Sequence, residues 1–166
     1  MKKPKIFIAC DTNKISKVKK IISQSKTDKL NIGYKFGLEF FYTRDGRKFV
    51  SKLKDQKIND IPTTCAAAIK SLQDLKNINY LTVHANAGAE TIKTVVKTAK
   101  KTNSKIKILL VTILTSISSS SLKKIGHTMP IKTLVKKQAQ LAKICGCHGI
   151  VCAGSDLKFV KKIFNG

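Results

Sequence analysis

Short apolar runs alternate with longer amphipathic stretches along the whole chain. Lys5 to Cys10 is apolar enough for a buried strand. Ile15, Val18, Ile21 and Ile22 follow at the spacing that puts one stripe on one face of a helix. Asn31 to Phe36 predicts a second strand, with a short helix after Gly37. Ser51 to Asp55 predicts a third strand, weak in hydrophobicity because it carries charge at alternate positions. Pro62 suits the first turn of the next helix, where a missing N–H costs nothing, and Ala66, Ile69 and Leu72 continue it. Tyr80 to Ala85 predicts strand four, followed by a helix bearing Ile92, Val95, Val96 and Ala99. Lys105 to Leu114 predicts strand five. A polar turn, Ser118 to Ser121, then leads to a helix carrying Ile131, Leu134, Val135, Leu141 and Ile144. Gly146 suits the left-handed residue that ends such a helix. Gly149 to Cys152 predicts strand six and Ser155 to Phe164 a closing helix.

Strict strand–helix alternation argues for a parallel sheet, wound open or closed into a barrel. No low-complexity linker interrupts residues 1–166, so one domain is expected. Six units is an awkward count, because a (β/α)8 barrel usually takes about 200 residues or more. Six barrel strands would leave Ile6–Ala9 and Ile150–Ala153 as bare apolar edges. A small six-stranded doubly wound domain is the structural alternative.

Charge changes this picture less than its size suggests. The net charge is +24 and Lys plus Arg number 33, but the only arginines are Arg44 and Arg47. Nucleic-acid recognition favours the bidentate arginine fork, which is nearly missing here. Tryptophan is absent and aromatic residues make up 6%, too few for a base-stacking platform. The lysines lie along the whole chain, mostly on polar helix faces, so a solvated lysine surface is expected rather than a nucleic-acid interface. Its positive field still attracts an anionic substrate. The longest apolar runs fall well short of the roughly 18 residues of a membrane span, and five apolar residues after the basic N-terminus do not make a secretory signal. The expected location is the cytoplasm. Five cysteines in apolar contexts fit packed, reduced thiols, and Cys145-Gly146-Cys147-His148 with Cys152 lacks the ligand spacing of a zinc site. No metal is expected.

Candidate chemistry concentrates in Lys52-Leu53-Lys54-Asp55-Gln56-Lys57-Ile58-Asn59-Asp60-Ile61-Pro62-Thr63-Thr64. Only nine carboxylates exist in the chain, and two of them flank Lys57 within six residues. Residues two apart on a strand share a face, so Asp55 and Lys57 point the same way at the carboxyl end of strand three, while Gln56 points away. Alone, Asp-x-Lys-x-x-Asp also fits a charged surface turn. Polar residues recur, however, at the ends of the other strands: Asp11 after strand one, Lys35 on strand two, His84 on strand four, Thr115 and Ser116 after strand five. Such ends converge in a parallel fold, and stability does not require them to be polar. His84 also fits a histidine packed at a strand end, and His127 and His148 fall in loops without evident partners.

The succession Ala9-Cys10-Asp11, Lys35-Phe36-Gly37-Leu38-Glu39, Asp55 to Thr64, Val83-His84-Ala85, Val111 to Ser116 and Gly149 to Cys152 resembles the orotidine 5′-phosphate decarboxylase family, in order and approximate spacing over essentially the whole chain. The resemblance implies a TIM (β/α)8-barrel-like fold, incomplete, with about six β/α units in this chain. It implies cofactor-free conversion of orotidine 5′-phosphate to UMP and carbon dioxide, a step of pyrimidine biosynthesis. By motif, Lys57 is the proton donor to C6 of the pyrimidine. Asp55 faces the substrate carboxylate, and Lys35 and Asp60 complete an alternating charge network. Asp60 belongs to a loop that reaches the neighbouring subunit's site, which implies a homodimer. Asp11 and Thr64 resemble the ribose-binding residues, and Thr115 and Ser116 those near the pyrimidine. Gln56, Ile58, Asn59, Ile61, Pro62 and Thr63 belong to the same substrate-binding segment by resemblance.

The chain departs from the family pattern at Gln56, Asn59, Thr63 and Asn86-Ala87, where Ala87 replaces a glycine. The family's strand-seven and strand-eight segments, which grip the 5′-phosphate, have no counterpart in the 166 residues. Remote phosphate binding normally stabilises the transition state, so these residues alone are expected to have very low decarboxylase activity, as a truncated product or half of a split enzyme. The related hexulose-phosphate synthase and keto-gulonate-phosphate decarboxylase group shares the aspartate–lysine strand but uses magnesium and different strand-two residues, and Lys35 argues against it.

Overall fold

The computed structural model describes residues 5–37, 40, 43, 45–50, 56–58, 62–70, 79–102 and 105–165. Its described strands are β1 (Lys5–Cys10), β2 (Asn31–Phe36), β3 (Gln56–Ile58), β4 (Tyr80–His84), β5 (Lys107–Val111) and β6 (Gly149–Val151). The described helices are α1 (Ile15–Gln24), α2 (Gly46–Val50), α3 (Pro62–Lys70), α4 (Gly88–Thr102), α5 (Ser119–Lys124), α6 (Ile131–Ile144) and α7 (Leu157–Ile163). The chain divides into two compact units, residues 1–57 with 72–81 and residues 58–71 with 82–166. It passes between them within β3 and β4.

In the first unit β1 and β2 pair in parallel, with Ala9 opposite Lys35 and Cys10 opposite Phe36. Alternation along these strands decides what each residue does. Cys10 and Phe36 point into a core with Val18 of α1 and Phe40, all four essentially fully buried, and Ile15, Ile21 and Ile22 pack against it. Because Ile15, Val18, Ile21 and Ile22 share one face, α1 can cover the sheet only with that face inward. Tyr34 reaches back to α1, its hydroxyl 2.8 Å from Ser25 Oγ.

A four-stranded sheet runs in the order β3–β4–β5–β6, and within the second unit β5 pairs with β6 in parallel. Ile113, Leu122, Leu134, Val135, Ala139 and Val160 form a core beneath α5, α6 and α7. Gly146 takes φ +71 directly after α6, the backbone conformation that the sequence reserves for it.

Several boundaries differ from expectation. The third strand is Gln56–Ile58, on the carboxyl side of the expected Ser51–Asp55, which lies outside the described residues. Ser119 to Ser121 are helical rather than a turn, because Ser118 caps α5 by accepting from Ser121 N–H and Leu122 is buried. β5 ends at Val111, short of the expected Leu114, and Ala85 opens a 3-10 turn after β4. The closing helix begins with another such turn, Gly154–Asp156. The helix Gly46–Val50 carries too little periodic signal to be foreseen.

Candidate active site

The carboxyl end of the β1–β2 pair is the best-defined part of the site within the first unit. Phe36 is locked inward, so Lys35, its neighbour on β2, takes the opposite direction and is half-buried. Asp11 is exposed just past the end of β1, where the chain turns through a Thr12 N–H to Cys10 carbonyl bond of 3.0 Å. The Asp11 carboxylate stands beside Gly37, its Oδ1 3.8 Å from where a Cβ on that glycine would lie. Burial pushes the Cys10 thiol pKa up, and the neighbouring negative charge of Asp11 adds to it. A carboxylate in that position can accept hydrogen bonds from a sugar diol.

Gln56, Lys57 and Ile58 form β3. Asp55, Asn59, Asp60 and Ile61 lie outside the described residues, as does the placement of the Lys57 side chain.

In the second unit, Pro62 opens α3 as expected, and Thr63 and Thr64 are exposed on its first turn. His84 ends β4 half-buried, and its Nδ1 accepts from Asn86 N–H at 3.2 Å, closing the 3-10 turn Ala85–Ala87. Past β5, Thr112 is fully buried, and its N–H and Oγ1 both donate to the Val151 carbonyl at 3.0 and 3.2 Å. Ile113 N–H donates to Gln138 Oε1 at 3.1 Å. Leu114 and Ile117 then close a turn by a 3.0 Å bond, and that turn presents Thr115 and Ser116 to solvent.

Sequence reasoning missed Gln138 and Asn86. Gln138 had a signal: it lies four residues after Leu134 and three after Val135, on the stripe that the helix buries. His148, expected to lack a partner, brackets β5 instead. Its N–H donates to the Ile108 carbonyl at 2.8 Å and its Nδ1 accepts from Ile108 N–H at 3.1 Å. Cys65, Cys145 and Cys147 are buried thiols, and burial pushes the Cys147 pKa up to about 12, with Cys145 adding to the shift. Among the described residues no group of three His, Cys, Asp or Glu could hold a metal, and no helix is long and apolar enough to cross a membrane.

Parallel β/α units with polar residues at the strand ends define an incomplete (β/α)8-barrel-like protein of the α/β class. Residues 4–165 match the Orotidine 5'-phosphate decarboxylase / HUMPS family, and the chain belongs to it. It is 32% identical to the orotidine 5′-phosphate decarboxylase of Carboxydothermus hydrogenoformans, across 96% of this chain and 70% of that protein. The enzyme of the same name from a Wolbachia of Brugia malayi is 34% identical across 93% of this chain and 70% of its own length. The crystal structure of the Lactobacillus acidophilus decarboxylase superposes with a TM-score of 0.82 at 30% identity, covering 96% of this chain and 75% of that one. The Methanocaldococcus jannaschii decarboxylase, complexed with the inhibitor BMP, gives 0.75 at 25% identity, covering 97% and 74%. These relatives are carboxy-lyases.

Proposed function

We propose that this chain carries the catalytic strands of an orotidine 5′-phosphate decarboxylase. The observation that carries the reading is the β1–β2 register, which sets Lys35 and Asp11 at the carboxyl end of a parallel pair, in a chain matched to the family from residue 4 to residue 165. In the reaction, the bond between C6 and the substrate carboxylate breaks, carbon dioxide leaves and the electron pair stays on C6. A proton from Lys57 Nζ then forms the new C–H bond.

The residue types suit this chemistry. Like charges 4 Å apart cost about 1 kcal/mol in water and about 4 kcal/mol at an effective dielectric of 20. Asp55 beside the substrate carboxylate thus opposes the bound ground state, and loss of carbon dioxide removes that repulsion. An ammonium already in place at Lys57 stabilises the charge building at C6. Asp55 and Asp60 favour its protonated form. Asp11 and Thr64 hold ribose hydroxyls, and Thr115 and Ser116 lie by the pyrimidine. Gln56, Ile58, Asn59, Ile61, Pro62 and Thr63 complete the substrate-binding segment. The reading also makes the protein a cytoplasmic homodimer, with Asp60 reaching the partner's site.

The test follows the loss of orotidine 5′-phosphate spectroscopically with the purified 166-residue chain and its Lys57→Ala variant. The segments assigned by resemblance to the phosphate are not among these residues, so slow turnover is expected, unaffected by a metal chelator. Lys57→Ala should lower it by roughly 100-fold or more, as for loss of a positioned proton donor. Equal rates for the two proteins refute the proposal. Mixing inactive Lys57→Ala and Asp60→Ala chains should restore part of the activity if Asp60 acts across a dimer, and a monomeric mass in solution refutes that part.

A further inference from the structure

We propose that Gln138 is a positioning residue, clamping the carboxyl ends of β4 and β5 so that the Thr115–Ser116 turn keeps one geometry. The inference rests on the decarboxylase reading, in which that turn meets the pyrimidine. Gln138 lies in the middle of α6 and is 5% exposed, on a face that otherwise buries Leu134, Val135, Ala139 and Ala142. An apolar side chain of the same length would continue that stripe with no polar group of its own to satisfy. A buried amide must instead be satisfied, or it costs about 1–3 kcal/mol.

It is satisfied at both ends. Oε1 accepts from Ile113 N–H at 3.1 Å, and Nε2 donates to Asn86 Oδ1 at 3.3 Å. Asn86 N–H in turn donates to His84 Nδ1 at 3.2 Å. One run of hydrogen bonds therefore joins the ends of two neighbouring strands, from Ile113 past β5 to His84 on β4. The backbone fixes its polarity: Ile113 offers only a donor, so the Gln138 oxygen faces it and the NH2 group is left for Asn86.

The position of Ile113 gives the clamp its consequence. β5 ends at Val111, and Thr112 is tied sideways to Val151. Ile113 is 7% exposed and is the last buried residue before the turn. Without the Gln138 oxygen its N–H is buried and unpaired. It regains a partner only if the chain there moves toward water, and Thr115 lies two residues further on.

The experiment titrates UMP and, separately, ribose 5-phosphate, which lacks the base, into the full 166-residue chain, reading affinities from NMR shifts. Gln138→Met keeps the length of the side chain and removes both bonds. It should weaken UMP roughly tenfold, the scale of one lost buried hydrogen bond, and leave ribose 5-phosphate within twofold. Amide exchange at Ile113, Thr115 and Ser116 should quicken in the absence of any ligand. Should Gln138→Met fail to fold, Asn86→Ala removes the far end of the clamp at an exposed position and should show the same selectivity at a few-fold. A variant that binds UMP as tightly as wild type, or loses both ligands equally, overturns the inference alone. Failure of the wild-type chain to bind UMP overturns the site reading and this inference with it.

Discussion

Phe36→Ala separates what holds the first unit together from what its site does. Phe36 is 1% exposed, and its ring lies 5.4 Å from that of Phe40. Phe40 in turn meets Phe49 edge-on at 5.7 Å and 84°. Truncation to alanine leaves a hole bounded by Cys10, Val18 and Phe40, and buried Phe→Ala changes cost about 3–5 kcal/mol. Whole domains are stable by about 5–15 kcal/mol, so the β1–β2 pair should open readily in the variant. Lys35, one residue earlier, is the control. Lys35→Met keeps an apolar stem of similar reach and removes only the ammonium. It should change stability by no more than about 0.5 kcal/mol while weakening substrate binding. Native-state amide exchange at Ile32 to Phe36 is the assay, because it reads this unit separately, and a chain of two compact units need not unfold in one step. If Phe36→Ala lowers the opening free energy of these amides by less than about 1 kcal/mol, or if Lys35→Met lowers it equally, the division into an inward anchor and an outward functional residue is wrong.

Three further outcomes are expected. Burial holds the His148 pKa below its usual 6.5, and the charges of Lys107 and Lys100 act in the same direction. The unfolded chain therefore takes up the proton first, so stability is full above about pH 6.5 and falls as the pH drops through the lower folded value. Melting temperature against pH should show that slope and His148→Gln should flatten it; an unchanged slope excludes His148 as its source. Gly146→Ala has room, since the new Cβ would lie 4.0 Å from Val96 Cγ1, but it must adopt φ +71. Chemical denaturation should show a loss of about 1 kcal/mol, and no loss refutes the strain. With its pKa near 12, Cys147 is only about one part in ten thousand thiolate at pH 8. A thiol reagent should therefore label half-buried Cys152 well before it, and the reverse order refutes the burial argument.

Local patterning was enough wherever an element is decided by its own residues. Lys5–Cys10 and Asn31–Phe36 match their expected spans, because short runs rich in β-branched and aromatic side chains favour a strand. Pro62 opens α3 and Gly146 closes α6, each fixed by backbone chemistry carried in a single residue. The order of strand ends and the family-like motifs were legible for the same reason, since the polar residues concerned sit next to the strands in the chain.

The tertiary structure decided everything that depends on a distant partner. His148 joins Ile108 across 40 residues, and Ile113 is bound by Gln138 from 25 residues away, at a point where local pattern predicted more strand. Ser119 to Lys124 is helical although its serines form no apolar stripe, because Ser118 caps it and Leu122 finds a core made by α6 and α7. A hydrogen bond or a buried contact is set by distance in space. The sequence fixes that distance only after the chain has folded, so residues whose roles are made by partners far along the chain carry almost no local signal.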